Sequence, residues 1–343
     1  MIKLAVLGVG YWGPNLVRNV KELPGAHLAG ICDLSPIALK HIREKYPDVP
    51  LFTNCKQMIK KTHPDAVLIA TPAHTHFSLV KNALHQNLHV LVEKPLAMNS
   101  RQARELTRLA ENRNLTLMAG HTFLYSNPVR EVRKYIEAQE LGDLFYCYSQ
   151  RTSLGQIRSD IDALWNLGPH DVSILNYWTG TMPTRVSAWG FCYLNKKQQI
   201  SDVVFGKIEY PGGISAHLHL SWLDPQKVRR MVVVGSKKML VYNDMDTEKP
   251  IQIYDKRAEK EKIDPTDPLH HRFGIKSGNI SVPKIPCPEP LREEIAHFIS
   301  SIKSGDQPLT DGRHATDVII VLEAMSRSLK KDGKPIEIKE IFT

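Results

Sequence analysis

The chain has 343 residues, 42% of them hydrophobic and 24% charged, which suits two domains with buried cores and excludes a disordered protein. Lys and Arg number 45 against 36 for Asp and Glu, but this excess is spread along the chain without an aromatic-rich basic stripe, so we expect an anionic small substrate and no nucleic acid. No apolar run approaches the roughly 18 to 20 residues of a membrane span, and the N-terminus does not resemble a signal peptide, so we expect a cytoplasmic protein without a membrane span.

The stretch from Met1 to Asp33 predicts a nucleotide-binding strand, turn and helix. An apolar segment, Leu4 to Leu7, leads into the run Gly8-Val9-Gly10-Tyr11-Trp12-Gly13, and Pro14 suits the first position of a helix. In this pattern the first glycine permits a tight bend, the second lets the backbone approach a pyrophosphate, and the third lets the helix pack close to the strand. A glycine run by itself is more often an ordinary loop. Here a second apolar run, Leu28 to Cys32, ends at Asp33, where a carboxylate accepts hydrogen bonds from an adenosine ribose, so the stretch predicts a dinucleotide site that favours NAD over NADP.

Strands and helices alternate between Asp33 and His121. Ser35 and Pro36 suit the start of a helix, and Ser100 suits the N-cap of another. This alternation predicts a doubly wound parallel sheet, whose ligands bind at the carboxyl ends of the strands. Six candidate residues fall there: Gly8, Asp33, Thr71, Glu93, Lys94 and His121. The predicted helices are Ser35–Lys45, Thr75–Gln86 and Ser100–Asn112, and the predicted strands are Asp65–Ala70, His89–Val92 and Leu115–Met118.

The pattern changes after about Leu124. We expect helices at Val129–Ala138 and Pro169–Trp178, a strand at Leu144–Gln150, and an irregular stretch at Arg151–Leu164. Strands then follow one another without helices, which predicts a largely antiparallel sheet with an open face that invites a partner subunit. These strands are Arg185–Tyr193, Ile200–Tyr210, Ile214–Trp222, Arg230–Val234 and Met239–Tyr242, and Pro211-Gly212-Gly213 is a hairpin turn between the second and the third.

The C-terminal part begins with a polar segment, Asp244–Pro290, which we interpret as a solvated loop with one edge strand near Ile251–Tyr254. Helices follow from Glu289 and over Gly312–Leu329. The predicted fold is therefore an α/β protein with two domains. We expect residues 1–122 to form an NAD-binding Rossmann domain, and residues 123–343 to form an α+β substrate-binding and oligomerisation domain with a large, mostly antiparallel open sheet. Packing of the C-terminal helix back on the first domain is an option that the sequence leaves open.

Cysteines and histidines give no metal pattern. Five cysteines are scattered without a CxxC pair, so we expect reduced thiols, mostly buried, and neither a disulfide framework nor a zinc site. His74 and His76 lack a matching set of ligands, and we place His74 near the nicotinamide. His217 and His219 alternate on one strand, which favours packing on the sheet surface.

Several motifs resemble those of the Gfo/Idh/MocA oxidoreductase family. They extend over nearly the whole chain: Gly8 to Gly13, Asp33, Ala70-Thr71-Pro72, Glu93-Lys94-Pro95, Gly168-Pro169-His170-Asp171, and Glu289-Pro290-Leu291 through Phe298. The resemblance implies a Rossmann fold with NAD, a catalytic lysine at Lys94 and a catalytic histidine at His170. It also implies that the C-terminal sheets pair face to face, in homodimers or homotetramers.

Two further stretches resemble bacterial sugar-nucleotide enzymes, the UDP-N-acetylglucosamine 3-dehydrogenases and their relatives. They are Gly120-His121-Thr122-Phe123-Leu124-Tyr125 and Leu154-Gly155-Gln156-Ile157-Arg158-Ser159-Asp160. The resemblance implies a nucleotide-sugar substrate, and the planar fork of Arg158 suits its diphosphate. Where much of the family has an aspartate four residues before His170, this chain has Asn166, an amide that cannot titrate.

The candidate site residues fall into three sets. Lys94 and His170 are the candidate catalytic residues, against the alternatives of a surface lysine and a helix-start cap. The cofactor-binding set is Gly8, Gly10, Tyr11, Trp12, Gly13, Asp33, Thr71, Pro72, His74, Glu93 and Lys94, with Trp12 equally suited to the core. The substrate-binding set is Lys94, His121, Tyr125, Arg158, Asn166 and His170.

The resemblance implies an NAD-dependent enzyme that oxidises the 3-hydroxyl of a nucleotide sugar. The resemblance points to UDP-N-acetylglucosamine as that substrate. Three alternatives stay open: reduction of a keto-sugar, oxidation of an inositol or a free sugar, and an NAD-binding sensor without catalysis.

Overall fold

The computed structural model describes residues 1–155, 157–194, 196–260 and 273–341. Clustering of the chain gives two compact units, Met1–Ser126 with Pro288–Glu323, and Asn127–Cys287 with Ala324–Thr343. Gln156 of the sugar-nucleotide motif, and residues 261–272 of the predicted polar loop, lie outside the described residues. In the part of the chain that is described, no helix is long and apolar enough to cross a membrane.

A six-stranded parallel sheet forms the centre of the first unit, with the strand order β3-β2-β1-β4-β5-β6. Its inner strands are apolar and buried on both faces, as expected where helices cover a parallel sheet on both sides. The predicted doubly wound sheet is confirmed. The strands are β1 (Ile2–Leu7), β2 (Ala26–Cys32), β3 (Leu51–Phe52), β4 (Ala66–Ile69), β5 (His89–Glu93) and β6 (Leu117–Gly120).

Five helices connect these strands, and their capping residues explain where they begin. The predicted Ser35 cap is confirmed, because its Oγ accepts a hydrogen bond from the Ala38 amide at 3.3 Å. The predicted Ser100 cap is wrong by one residue, since Asn99 Oδ1 accepts from the Gln102 amide at 2.9 Å. The helices are α1 (Gly13–Glu22), α2 (Pro36–Lys45), α3 (Cys55–Thr62), α4 (Ala73–His85) and α5 (Ser100–Asn112), of which α3 was not predicted.

The second unit contains helices α6 (Asn127–Glu137) and α7 (Ala163–Thr179) and a nine-stranded sheet. Its strand order is β14-β13-β12-β11-β7-β10-β9-β8-β15, and neighbouring strands are antiparallel except for β7 and β10. The predicted, mostly antiparallel sheet is confirmed. Its strands are β7 (Leu144–Thr152), β8 (Arg185–Phe191), β9 (Val203–Glu209), β10 (Ser215–Ser221), β11 (Val228–Gly235), β12 (Met239–Asn243), β13 (Ile251–Lys260), β14 (Phe273–Ser281) and β15 (Ile336–Glu337).

Two predictions for this unit are wrong. Helix α7 begins six residues before Pro169, because Asp162 Oδ1 caps it by accepting from the Trp165 amide at 2.9 Å. The proline therefore lies inside the helix, where its missing N–H costs one helical bond. The polar segment after Asp244 contains a pair of long strands, β13 and β14, in addition to loop. The charged side chains of this segment lie on two strands at the edge of the sheet. For example, Lys276 of β14 forms an ion pair with Glu259 of β13 at 2.5 Å.

Two helices close the chain, α8 (Pro290–Ser304) and α9 (Gly312–Leu329), as the sequence predicts. Helix α8 buries Leu291, Ile295 and Phe298 in the core cluster of the first unit. Just before α9, the Ala119 amide at the end of β6 donates to the Thr310 carbonyl at 2.9 Å. The segment after Pro288 thus completes the first unit, and the boundary between the units falls within α9.

Candidate functional site

The glycine turn between β1 and α1 has the shape that a dinucleotide requires. Gly8 has φ +89°, and a Cβ there would lie 2.7 Å from the Ala70 carbonyl oxygen. A Cβ at Gly13 would collide with the Gly8 carbonyl. In contrast, among the described residues other than its two chain neighbours, no atom lies within 4 Å of the Cβ position of Gly10, so this backbone is open to a ligand. Since Trp12 gives α1 no side-chain cap, the helix N-terminus can receive a phosphate.

Asp33 lies beside this turn at the end of β2. Its Oδ2 accepts a hydrogen bond from the Val9 amide at 2.7 Å, and its Oδ1 accepts from the Ser35 amide at 2.7 Å. The carboxylate is thereby fixed to Val9 and Ser35, which line a groove of about 500 Å³ between α1 and α2. This groove is large enough for the adenosine half of a dinucleotide. Its lining includes Val9, Gly10, Asn15, Arg18, Ser35 and Ile37.

Tyr11 and Trp12 follow the turn on the surface of the first unit. Tyr11 is 91% exposed and Trp12 is 38% exposed, so neither ring is a core residue. The indole of Trp12 donates a hydrogen bond to the carboxylate of Glu93. Trp12 therefore connects the glycine turn to the Glu93-Lys94-Pro95 motif.

That motif lies at the carboxyl end of β5, where Lys94 is half-buried and the Lys94–Pro95 peptide bond is cis. Glu93 pairs in register with Gly120 on β6, and a Cβ at Gly120 would lie 3.1 Å from Glu93 Oε2. Burial raises the pKa of Glu93 to about 7, against the opposing effects of Lys94 and of the Trp12 hydrogen bond. The glycine at position 120 thus leaves room for a buried carboxyl group next to the candidate base.

The loop after β4 carries Thr71 and Pro72, and helix α4 follows it directly. Thr71 Oγ1 and Thr75 Oγ1 are 2.7 Å apart, which fixes the loop to the first turn of that helix. His74 is exposed beside the loop. His76 is 1% exposed, and its ring touches the backbone of two loops, a role that the sequence did not predict.

His121 and Tyr125 lie inside the first unit. His121 is 2% exposed and meets His314 edge to face at 5.2 Å, and burial together with His314 and Lys94 holds the pKa of His121 well below its usual range. Tyr125 is 0% exposed, and its hydroxyl lies 3.1 Å from Thr310 Oγ1. The hydroxyl of Tyr125 is thus held within the core of this unit, and its role in substrate binding stays a prediction.

The second unit contains His170 and Asn166, one helical turn apart on α7 and both half-buried. Asn166 Oδ1 accepts a hydrogen bond from Trp222 Nε1 at 3.1 Å, which fixes the amide against the end of β10. Next to His170, the buried Asp171 forms an ion pair with Arg151 of β7 at 3.0 Å. Helix α7 is thereby tied to the sheet at the position of the histidine.

Arg158 also belongs to this unit, and its guanidinium is bound to Asp160. The Nε–Oδ1 distance is 2.8 Å, and a second guanidinium nitrogen lies 2.6 Å from Oδ2. The guanidinium group of Arg158, which suits a diphosphate, is thus bound to the carboxylate of Asp160 instead. Since Arg158 is 37% exposed, a diphosphate ligand would compete with Asp160 for it.

Glu294 of α8 is the most deeply buried acid of the first unit near this site. It is 1% exposed, its Oε2 accepts from Thr122 Oγ1 at 2.8 Å, and its Oε1 has no hydrogen-bond partner among the described residues. Burial, with a contribution from Glu93, raises the pKa of Glu294 well above its usual range. The folded protein therefore holds a proton on Glu294 that the unfolded chain releases near its ordinary pKa of about 4.3.

We expect Glu294 to contribute a fall in the free energy of unfolding as the pH rises above about 4.3, because the folded state keeps this proton where the unfolded state releases it. Glu294→Gln should make this fall shallower, by up to about 1.4 kcal/mol per pH unit for one proton. Urea unfolding at several pH values measures it. Glu293→Gln, the same charge change on the half-buried neighbour, is the control, and equal slopes in the two variants would contradict the assignment.

Comparison with known proteins adds two family models. Residues 2–121 match an oxidoreductase family with an NAD-binding Rossmann fold, GFO_IDH_MocA, and residues 129–241 match the GFO/IDH/MocA C-terminal domain. The two matches cover more than half of the chain. The N-terminal match contains the glycine turn, Asp33 and Lys94, and the C-terminal match contains His170.

Curated relatives with several different activities match the chain. UDP-N-acetylglucosamine 3-dehydrogenase from Acidithiobacillus ferrooxidans is 27% identical over 67% of this chain and 70% of its own length. 2,7-anhydro-N-acetylneuraminate hydratase from Mediterraneibacter gnavus is 28% identical over 54% and 51%. D-apiose dehydrogenase from Paraburkholderia graminis is 22% identical over 99% and 90%. The chain spans only 60% and 51% of the lengths of the first two curated relatives it matches.

Solved structures share the fold over nearly the full length. The structure of the Acidithiobacillus ferrooxidans 3-dehydrogenase has a TM-score of 0.80 at 22% identity and covers 96% of this chain and 98% of its own. An oxidoreductase from Agrobacterium radiobacter, in complex with NAD+, L-tartaric acid and magnesium, has a TM-score of 0.79 at 19% identity and covers 99% of both chains. At these identities the likeness concerns the fold.

Proposed function

The chain belongs to the Gfo/Idh/MocA oxidoreductase family, and from this premise we propose that it is an NAD-dependent dehydrogenase that oxidises the 3-hydroxyl of a nucleotide sugar. The observation that carries the proposal is the Asp33 carboxylate, held by the backbone amides of Val9 and Ser35, two residues that line the groove beside the uncapped N-terminus of α1. The preferred substrate is UDP-N-acetylglucosamine, supported by the relative with that activity and by the His121 to Tyr125 and Leu154 to Asp160 motifs. An aminotransferase would then consume the ketone, in amino-sugar synthesis for lipid A or a surface polysaccharide.

The residues described above fit a bound dinucleotide, and each part of the cofactor has its own proposed contacts. The open backbone at Gly10 and the N-terminus of α1 would hold the pyrophosphate, and Asp33 would hold the adenosine ribose. Thr71, Pro72 and His74 would border the nicotinamide, together with Tyr11, Trp12 and Glu93. When bound, NAD+ accepts the hydride that leaves carbon 3 of the sugar. This oxidation leaves a proton on the hydroxyl, which the chain must remove.

Lys94 is the proposed base for that proton, and His170 is proposed to hydrogen-bond the same hydroxyl and to orient it. Arg158 is proposed to contact the diphosphate, and His121, Tyr125 and Asn166 are the other proposed substrate-binding residues. Because an amide cannot titrate, Asn166 cannot relay the proton onward, and that step falls to His170. Under this proposal, Lys94 is the only residue that must change its charge before the hydride leaves.

Turnover on a panel of sugars tests the substrate. The protein is incubated with NAD+ and UDP-N-acetylglucosamine, a dTDP-sugar, myo-inositol, glucose or D-apiose, and NADH is followed by its absorbance. Hydroxylamine is added to trap the ketone as an oxime, since such oxidations are uphill near neutral pH. We expect turnover with the UDP-sugar. Turnover confined to myo-inositol or a free sugar would contradict the substrate, and NAD binding without turnover on any sugar would support a sensor.

The dissociation constants of NAD+ and NADP+ form a separate prediction. Asp33 repels a 2′-phosphate, and Arg18, an arginine that lines the groove, is paired with Glu289 at 2.5 Å. We expect NAD+ to bind at least about tenfold more tightly, or about 1.4 kcal/mol. Isothermal titration of both cofactors measures the ratio. In Asp33→Ser, which removes the carboxylate, the ratio should approach one; equal constants in the unmodified protein would contradict the role of Asp33.

The exposed face of the second sheet supports a homo-oligomer, either a homodimer or a homotetramer. Aromatic side chains cluster there, and Phe205 stacks on His219 at 4.5 Å between ring centroids. Trp189, Phe191 and Phe205 are each more than 40% exposed, which is unusual for a face in contact with water. Sedimentation equilibrium measures the assembly.

A further inference from the structure

His76 occupies an unusual position between two loops of the first unit. It is the fourth residue of α4 and is 1% exposed. Its Nδ1 lies 2.7 Å from the Pro95 carbonyl oxygen, and its Nε2 lies 2.9 Å from the Thr71 carbonyl oxygen. Thr71 belongs to the loop proposed to border the nicotinamide, and Pro95 directly follows the proposed base Lys94. One imidazole ring therefore contacts the backbone of both loops.

A neutral imidazole ring cannot donate a hydrogen bond to both carbonyl oxygens. A carbonyl oxygen only accepts hydrogen bonds, and a neutral imidazole carries a single N–H. A neutral His76 can satisfy one carbonyl, while its other nitrogen directs a lone pair at the second carbonyl. Both contacts are hydrogen bonds only when the ring is an imidazolium ion. The number of bonds between the two loops therefore depends on one proton.

The surroundings of the His76 ring disfavour its protonation. Burial lowers the pKa of His76, the two carbonyl contacts raise it, and the charges of His74 on the same helix and Lys94 on the next loop lower it further. A neutral Lys94 removes one of these positive neighbours. The protonation of His76 is thus linked to the charge of Lys94, the residue that precedes Pro95.

We propose that His76 is a positioning residue for Lys94, joining the lysine loop to the cofactor loop through the Pro95 and Thr71 carbonyls. The assignment of Lys94 as base rests on the proposed function. With two bonds the loops are fixed relative to each other, and with one bond the lysine loop gains freedom. Since loss of alignment between reacting groups by about 1 Å can cost about a hundredfold in rate, this bridge bears on kcat rather than on substrate binding.

Carbonyl chemical shifts test the bridge without any substrate. In protein labelled with ¹³C at the Thr71 and Pro95 carbonyls and with ¹⁵N in histidine, a pH titration should move both carbonyl signals in step with the His76 ring nitrogens. His76→Gln, which keeps a single donor group, should abolish this joint response. His85→Gln, at the exposed end of the same helix, is the control and should leave it intact. Carbonyl signals that do not follow the ring would overturn the bridge.

Kinetics test the positioning role. We expect His76→Leu to lower kcat by about a hundredfold and His76→Gln by about tenfold, with the KM of the sugar and the Kd of NAD+ changed less than about threefold. A kcat within twofold of the parent in His76→Leu would overturn the positioning role. If Lys94→Met also leaves turnover unchanged, the proposed base is wrong, and the carbonyl titration still decides whether the bridge exists.

Discussion

Lys94→Met should give a folded protein that binds NAD+ with unchanged affinity and has a kcat lowered at least about a hundredfold. A positioned base contributes about 10² to 10⁴ in rate when a hydroxyl proton must leave with the hydride. Methionine preserves the length and the apolar stem of the half-buried lysine, so the fold at the carboxyl end of β5 is retained. Stopped-flow or steady-state turnover with the identified sugar measures kcat, and titration calorimetry measures NAD+ binding.

Lys94→Arg separates a base from a fixed positive charge. Arginine keeps the charge but stays protonated at any accessible pH, so it cannot accept the proton. If Lys94 acts as the base, the arginine variant should be as slow as the methionine variant. Activity retained in Lys94→Arg would instead show that the charge orients the substrate. Lys60→Met, the same change at an exposed position of α3, is the control and should keep full activity.

The sequence predicts the first unit well because its signals are local. The glycine turn, the Ser35 cap and the apolar runs of β1 and β4 each depend on neighbours within a few residues. The short pair β3 and α3 was missed, since two residues of strand carry no periodicity that a pattern could detect.

Elsewhere one local helix cap was overlooked, and the other features depend on contacts distant in sequence. Pro169 is typical of a helix start, yet the helix begins at the Asp162 cap and tolerates the proline inside. The charged residues of β13 and β14 are typical of a loop in the sequence. In the structure the two strands pair with each other, and their charged residues lie along a sheet edge. Tyr125 matches a family motif, but Thr310, 185 residues later, holds its hydroxyl in the core.

His76 illustrates the same limit for the candidate site. Two histidines beside Thr71 and Pro72 suggest a metal site or a cofactor contact in the sequence. The structure distinguishes the two histidines. Strand β5 lies next to β4, and the Pro95 carbonyl oxygen is therefore 2.7 Å from Nδ1 of His76. No sequence pattern records a bond from a side chain to a backbone carbonyl nineteen residues away.

Arg151→Met should lower the free energy of unfolding by about 3 to 5 kcal/mol, the effect of leaving a buried charge without its partner. Arg151 of β7 and Asp171 of α7 are 7% and 1% exposed, and Arg151 Nε lies 3.0 and 3.1 Å from the two carboxylate oxygens. Urea unfolding followed by circular dichroism measures the change. Arg229→Met is the matched control, because its pair with Asp244 is more exposed and should contribute about 1 kcal/mol or less.

The double variant Arg151→Met/Asp171→Leu distinguishes stability from positioning. Replacing both members of a buried pair by apolar side chains is often neutral, so most of the lost stability should return. His170 precedes Asp171 on the helix that this pair ties to β7, and the apolar pair lacks the directional bonds that fix the helix in register. We therefore expect the double variant to recover its stability while kcat remains reduced about tenfold with an unchanged NAD+ affinity. Full recovery of kcat would show that the ion pair holds the fold together without orienting His170, and a double variant as unstable as Arg151→Met would show that the pair itself, rather than the uncompensated charge, stabilises this unit.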